Sequence, residues 1–215
     1  MPNLLRPHRS IEDLGMDWNA VQERIAQLSQ REWPAEWSAA ENAAIGDYYG
    51  WCHRYRLEAP LAVDEVADFE RKYGITLPED YRQFLTQLGN GGAGPDYGIF
   101  PLGEGEEEPL PAIVLENLHQ EFALNGAWND TSLLDTPELY YGYEIMTGAM
   151  PISTRGSALD YWLVVSGPRK GEIWFDKRTD GDGVESVKDS SGNPLTFGQW
   201  YVAWLEAAFA KLDVS

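Results

Sequence analysis

The stretch PEDYRQFLTQLGNGGAGPDYGIFPL, Pro78 to Leu102, passes from a helical pattern through a glycine cluster into an apolar segment. Tyr81, Phe84, Leu85 and Leu88 recur at the i, i+3, i+4, i+7 spacing of one buried helical face. Pro78 suits the first helical position, and Glu79 and Asp80 put negative charge where the helix dipole favours it. Gly89 stands where a glycine in the left-handed conformation would stop the helix. The following YGIFPL, with aromatic and β-branched members, predicts a short strand. This order is the reverse of a phosphate cradle, in which a strand enters the glycines and a helix leaves them with its free amides converging on the anion. No Lys stands beside the glycines either. They are expected to turn the chain, and Gly91 and Gly92 should resist a β-branched substitution if either holds a positive φ.

Upstream, LAVDEVADFERKYG offers Val63, Val66, Phe69 and Tyr73 on one face with Gly74 as the stop, so two short helices and a glycine turn form one unit. Further back, Leu14, Trp18, Val21, Ile25 and Leu28 predict a helix over Ile11–Arg31, which Pro34 should end. Ala35 to Tyr49 favours a second helix by composition. Residues 1–58 are thus expected to be a helical extension packed on a main body, residues 59–215. Its tryptophans Trp18, Trp33, Trp37 and Trp51 are expected to form a small core.

Downstream, GEGEEEP, Gly103 to Pro109, reads as a solvated loop. Leu110 to Asn125 is compatible with a helix, whereas Gly126 to Met150 is aromatic, broken by turn residues and without a readable pattern. Beyond Met150 the segments MPIST, DYWLVVSG, GEIWFDK and GVESVK predict strands. DYWLVV is nearly continuous in apolar residues, as expected of a central strand covered on both faces. The closing TFGQWYVAWLEAAFAKL predicts a helix, with Thr196 and Gln199 as a capping box and Phe197, Trp200, Tyr201, Trp204, Leu205, Phe209 and Leu212 on its core face.

The 215 residues, 43% hydrophobic and 13% aromatic, exclude a disordered chain and suffice for a substantial core. Asp and Glu number 35 against 16 Lys and Arg, a formal net charge of -19. Such a surface repels nucleic acid and anionic lipid and speeds encounter with basic partners. No apolar run is long enough for a signal peptide or a membrane span, so a cytoplasmic location is expected.

Catalytic and metal chemistry find no constellation. His8, His53 and His119 are far apart, and no pair has metal-ligand spacing. Cys52, the single cysteine, excludes a Cys-rich zinc site, and beside His53 it points away from it, so packing is its expected role. In DKRTDGDGVE, Asp176, Asp180, Asp182 and Glu185 fail the calcium-loop template, because Val184 or Arg178 falls on a ligand position. Turn chemistry is the better account of that segment. A hydrolase built on paired carboxylates is permitted by the acidic composition, but spacing singles out no pair. Neither a cofactor nor a metal is expected, and no enzymatic activity.

FERKYGITLPEDYRQFLTQLGNGGAGPDYGIFPL, MPISTRGSALDYWLVVSG, GEIWFDK and TFGQWYVAWLEAAF, in this order, resemble the SMI1/KNR4 family of the SUKH superfamily, from about Ala59 to Leu212. The most specific positions are Phe69, Gly74, Leu77, Pro78, Tyr81, Phe84, Leu85, Asn90, Gly91 and Gly92. Ala62 departs from the polar helix start usual in that family, and the connection from Gly103 to Met150 is longer than expected. The resemblance implies an α+β fold, a mainly antiparallel sheet wrapped by helices. For function it implies an immunity protein that binds and neutralises a toxin delivered between competing cells. The alternative it leaves is a regulatory or scaffold module, and neither role is catalytic. Against a toxin with a basic surface, the anchored run Glu104, Glu106, Glu107 and Glu108 is the first candidate contact. Asp96 and Tyr97, beside the glycine turn, come next.

Overall fold

Why DYWLVV is apolar on both faces is answered by what covers it. In the computed structural model, which describes residues 17–33, 48–106 and 109–212, the chain beyond Gly148 forms β1 (Ala149–Thr154), β2 (Asp160–Val164), β3 (Ile173–Asp176) and β4 (Val184–Ser186). They pair antiparallel in the order β1-β2-β3-β4, so β2 is an inner strand. Met150 lies opposite Leu163, and Trp162 opposite Trp174. Alternation along β2 sends Tyr161 and Leu163 to one face and Asp160 and Trp162 to the other.

The Tyr161 face receives the C-terminal helix. Its capping box is present: the Thr196 amide donates to Gln199 Oε1 at 3.0 Å and the Gln199 amide to Thr196 Oγ1 at 3.5 Å. Phe197, Trp200, Tyr201 and Leu205 are buried, and Trp200 packs on Tyr161 at 5.0 Å between ring centroids. An earlier helix, α1 (Trp18–Ser29), is capped by Asp17 and buries Trp18, Val21, Ile25 and Leu28. Trp18 joins the main aromatic core, 6.1 Å from Phe84 and 6.3 Å from Tyr201, and Arg24 pairs with Glu206. Trp33 stacks near Tyr55 at 5.8 Å. Leu14, Pro34, Trp37 and all of the second expected helix before Tyr48 lie outside the described residues; its last two residues, Tyr48 and Tyr49, open α2 (Tyr48–His53).

Helix α3 (Val63–Tyr73) stops at Gly74, left-handed at φ 66°. Val66 is buried and Phe69 and Tyr73 pack against the core. Val63, expected on the same face, is instead 60% exposed, because the first turn projects past the core. No side chain can cap from Ala62, but the Ala62 amide donates back to Glu65 Oε2 at 2.8 Å, half of a capping box.

Tyr81, Phe84, Leu85 and Leu88 are all buried as their spacing predicts. Pro78 precedes the helix as its cap rather than opening it, and α4 (Glu79–Gln83) passes into a π-helical turn, Phe84–Leu88. That wider turn closes through the Gly89 amide on the Phe84 carbonyl at 3.1 Å. Gly89 is not left-handed: its φ of 177° is extended backbone. A glycine is needed there for space, since a Cβ would sit 2.5 Å from the Glu58 carbonyl oxygen. Gly91 and Gly92 do have positive φ, 104° and 92°.

The amides of Asn90, Gly92 and Ala93 donate to the carbonyls of Ala59, Ile99 and Arg56, so the loop is a chain crossing rather than an anion cradle. YGIFPL forms single bridges rather than a ladder: Gly92 to Ile99, and Ile99 to Ser153 on the outer edge of β1. Prolines at 95 and 101, which lack a donor, bracket a segment too short for more.

Residues 109–148 cover the second face. Only α5 (Ala112–Glu116) of the helix expected over Leu110–Asn125 forms. Tertiary bonds draw the rest away from helical geometry: Ser166 Oγ donates to the Leu118 carbonyl at 2.6 Å and the Phe122 amide to the Ser166 carbonyl. A 3-10 turn at Thr131–Leu133, α6 (Pro137–Tyr140) and a second 3-10 turn at Tyr143–Met146 follow. Phe122 meets Trp174 at 5.0 Å and Tyr143 meets Trp162 at 6.2 Å. Trp128 bridges to Val184, closing the edge of β4. The final helix, α7, is Phe197–Leu212. The architecture is α+β, with a mainly antiparallel sheet held between helices and this long excursion.

Candidate functional site

The turn joining β1 to β2 gathers several of the residues singled out by sequence. Asp96, in left-handed backbone at φ 51°, lies with Oδ1 3.7 Å from Arg155 Nε and takes a hydrogen bond from the Tyr161 side chain. Burial raises its carboxyl above the ordinary value, while Tyr161 and Arg155 pull it back. Asp96 raises the Arg155 guanidinium in turn. Asp96 is therefore a fixed charge already matched within the chain. Tyr97 beside it is exposed, edge-on to Tyr49 at 5.1 Å, and its ring lies against Gly156, where an added Cβ would come within 3.1 Å.

Of the acidic run, Glu104 is half-buried, Glu106 is exposed, and Glu107 and Glu108 lie outside the described residues. Glu106 acts electrostatically on Asp160, the first residue of β2. Burial, with Glu106 and Asp176 adding to it, pushes the Asp160 carboxyl up to about 6, against the opposing Thr154 hydrogen bond and Arg178. Asp160 Oδ1 and, two residues along the same face, Trp162 Nε1 are buried without a hydrogen-bond partner among the described residues.

Asp160 stands opposite Asp176 on β3, and Asp176 carries the feature that sequence reasoning missed. Arg178, only 4% exposed, donates to Asp176 through Nε at 2.9 and 3.0 Å and Nη2 at 2.6 Å. Its Nη1 donates to the carbonyls of Tyr140 and Gly142 at 2.7 and 2.9 Å. Next to it, Thr179 Oγ1 reaches back to the Ser157 carbonyl at 3.1 Å. DKRTDGDG does turn the chain, through a 3-10 turn at Arg178–Asp180 and a left-handed Gly181. It also inserts an arginine that fastens the excursion to the sheet. Nothing local in the sequence distinguishes this arginine from a solvated one.

Asp176 is committed to Arg178, and no group of three or more His, Cys, Asp or Glu able to hold a metal occurs among the described residues. Cys52, expected to pack, is exposed. The neighbouring His53 turns inward instead, 4.9 Å from Tyr55 and 5.8 Å from Trp204, so the two side chains diverge. No described helix is long and apolar enough to cross a membrane.

The charge is unevenly distributed along the chain. From Gln83 to Thr154 there are eleven Asp and Glu and no Lys or Arg. The glycine turn, the Glu104–Glu108 run and the whole excursion over the sheet belong to this stretch, and the cations that meet it, Arg155 at Asp96, Arg169 at the Asn125 carbonyl and Arg178 at the Tyr140 and Gly142 carbonyls, come from chain beyond it.

The sequence matches the profile of the SMI1 / KNR4 family (SUKH-1) over residues 60–193, from just before α3 to just past β4. Helices α1, α2 and α7 lie outside the matched span, which ends earlier than the resemblance through Leu212 suggests. No curated protein and no solved structure matches the chain.

Proposed function

The chain belongs to the SMI1/KNR4 family (SUKH-1), and on that premise we propose that it is an immunity protein that binds a cognate toxin of interbacterial competition and neutralises it by occlusion. The observation that carries this reading beyond the family is the stretch from Gln83 to Thr154, which has eleven acids and no Lys or Arg. A toxin that acts on nucleic acid or another anionic substrate presents Lys and Arg around its cleft, and an acid-rich stretch of this kind is complementary to it. Glu104, Glu106, Glu107 and Glu108 steer the encounter, exposed Tyr97 makes contact, and Asp96, held by Arg155, fixes the turn that carries Tyr97. Action is stoichiometric, without catalysis or cofactor, and takes place in the cytoplasm. Residues 1–58 serve as an extension of the 59–215 body, to which α1 contributes Trp18.

The test begins with the reading frame immediately upstream: where it encodes a large secreted protein, the C-terminal domain of that protein is the toxin domain to be used, and a frame of any other kind counts against the reading. We expect a one-to-one complex in size-exclusion chromatography and rescue of cells expressing that domain. Continued killing, with no complex at micromolar concentrations, overturns the reading. It would leave the regulatory or scaffold role, in which the partner is a protein of the host cell itself.

A further inference from the structure

Seven large hydrophobic residues are exposed among the described residues, and four of them, Leu134, Leu139, Tyr141 and Tyr143, lie within ten positions of one another. Scattered exposed apolar groups need no explanation, but a concentration of this kind on one excursion does. Its backbone is held rigidly. Arg178 binds the carbonyls on either side of Tyr141, those of Tyr140 and Gly142, from beneath. The Tyr140 ring, fully buried, donates its hydroxyl to Asn129 Oδ1 at 2.7 Å and stands edge-on to Tyr141 at 4.9 Å. A buried arginine thus fixes the turn from below, while Tyr141 and Tyr143 on it are exposed.

The surroundings of these rings are anionic. Asp135, Glu138 and Glu144 are exposed, and the Glu144 carboxylate lies over Gly142, where an added Cβ would meet Oε2 at 2.4 Å. Preordered tyrosines on a fixed backbone are what binding hot spots use, because they add contact area at little entropic cost.

We propose that the turn carrying Tyr141 and Tyr143, with Leu139 and Leu134 beside it, is the central contact surface for the toxin, and that it takes a protein face with an apolar pocket rimmed by Lys or Arg. This rests on the immunity reading and deepens it. The tyrosine turn supplies the buried centre of the interface, and the exposed acids beside it, Asp135, Glu138 and Glu144, supply steering at its rim. Charge complementarity selects the occupant: a second copy of this chain would bring acid to acid, whereas a basic partner pairs with Glu138 and Glu144.

The experiment measures the dissociation constant of the purified upstream-encoded toxin domain for the full chain and for two variants, Tyr141→Ser/Tyr143→Ser and Glu138→Lys/Glu144→Lys. All four positions are exposed, and thermal melting identifies any variant that has lost its fold. About a hundredfold weakening is expected for the tyrosine pair, and tenfold or more for the charge reversal at low salt. A loss of tenfold or more in either folded variant supports the surface. Retention within tenfold in both overturns it while the immunity reading stands. Failure of the parent chain to bind the domain overturns both.

Discussion

Asp80 caps the C-terminal helix at Gly198: its Oδ2 accepts the Gly198 amide at 2.9 Å across 118 residues of sequence, while Oδ1 accepts the Tyr81 amide at 2.8 Å. One carboxylate therefore serves the N-terminal ends of two helices, α4 and α7. Charge at a helix start with a direct hydrogen bond to a free amide stabilises by about 1–2 kcal/mol. Asp80→Ala should lose that amount in urea unfolding, and Asp80→Asn, which keeps one acceptor, should lose less. Equal stability of Asp80→Ala and the parent would show that water replaces the cap at no cost.

Asp160 should make stability rise as pH falls. Its carboxyl is pushed up to about 6 in the folded protein, chiefly by burial, against about 4 in an unfolded chain. The folded state thus binds this proton more tightly, so the ionised group opposes folding above pH 6, and that opposition disappears between about pH 6 and pH 4. Asp160→Asn should stabilise the protein at pH 7.5 by on the order of 2 kcal/mol. Its advantage over the parent should vanish near pH 4. An advantage that is the same at both pH values contradicts the assignment.

Breaking the Asp176–Arg178 pair from one side strands a buried charge, so Arg178→Met should cost about 3–5 kcal/mol. Replacing both partners, Asp176→Leu with Arg178→Met, removes the stranded charge. Stability should recover only in part, because the Tyr140 and Gly142 carbonyls still lose their donor. Full recovery in the double variant would mean that those two carbonyl bonds contribute nothing measurable.

Gly92 and Gly89 should both resist substitution, for different reasons. At Gly92 a side chain would combine positive φ with a Cβ 2.4 Å from the Arg56 carbonyl oxygen, whereas at Gly89 the backbone is extended and the obstacle is space, from the Glu58 carbonyl and Leu57 Cβ. Gly92→Val should lower the melting temperature more than Gly89→Ala, and Gly91→Val should also destabilise, since a β-branched residue tolerates positive φ poorly. An unchanged melting curve for Gly91→Val and Gly92→Val would remove the structural role of the turn.

Replacing Glu104, Glu106, Glu107 and Glu108 with Gln keeps size and removes charge. Association with the toxin domain should slow roughly tenfold at low salt, and the gap should narrow as ionic strength rises. Stopped-flow rates identical to the parent at low salt would place the steering charge elsewhere on the molecule.

Where the backbone repeats, the sequence was readable. Helix α7 has its capping box and its apolar face, α1 has Trp18, Val21, Ile25 and Leu28, and the four strands follow one another in simple antiparallel order. A regular hydrogen-bond ladder imposes a period of 3.6 or 2 on the buried side chains, and that period is a local property of the chain. Family resemblance was legible for the same reason, in the ordered blocks from Phe69 to Leu102 and in the strands. Of the candidate site, the sequence singled out the acidic run, Asp96 and Tyr97 by residue type and position alone, and the exposure of Tyr97 was decided by the fold. It did not reveal that Asp96 is already matched by Arg155, that Cys52 faces outward, or that Asp160 lies under Glu106's field.

What tertiary structure alone decided lies where no ladder repeats. The π turn before Gly89, the Glu58 carbonyl that makes Gly89 necessary and the path of residues 126–148 are set by partners tens of residues away. Arg178 shows why. Its side chain satisfies Asp176 two residues back and two carbonyls 36 and 38 residues back, and only the folded chain brings these acceptors to one point. A buried charge must find all its partners at once, and three-dimensional convergence of that kind leaves no periodic trace in the order of residues.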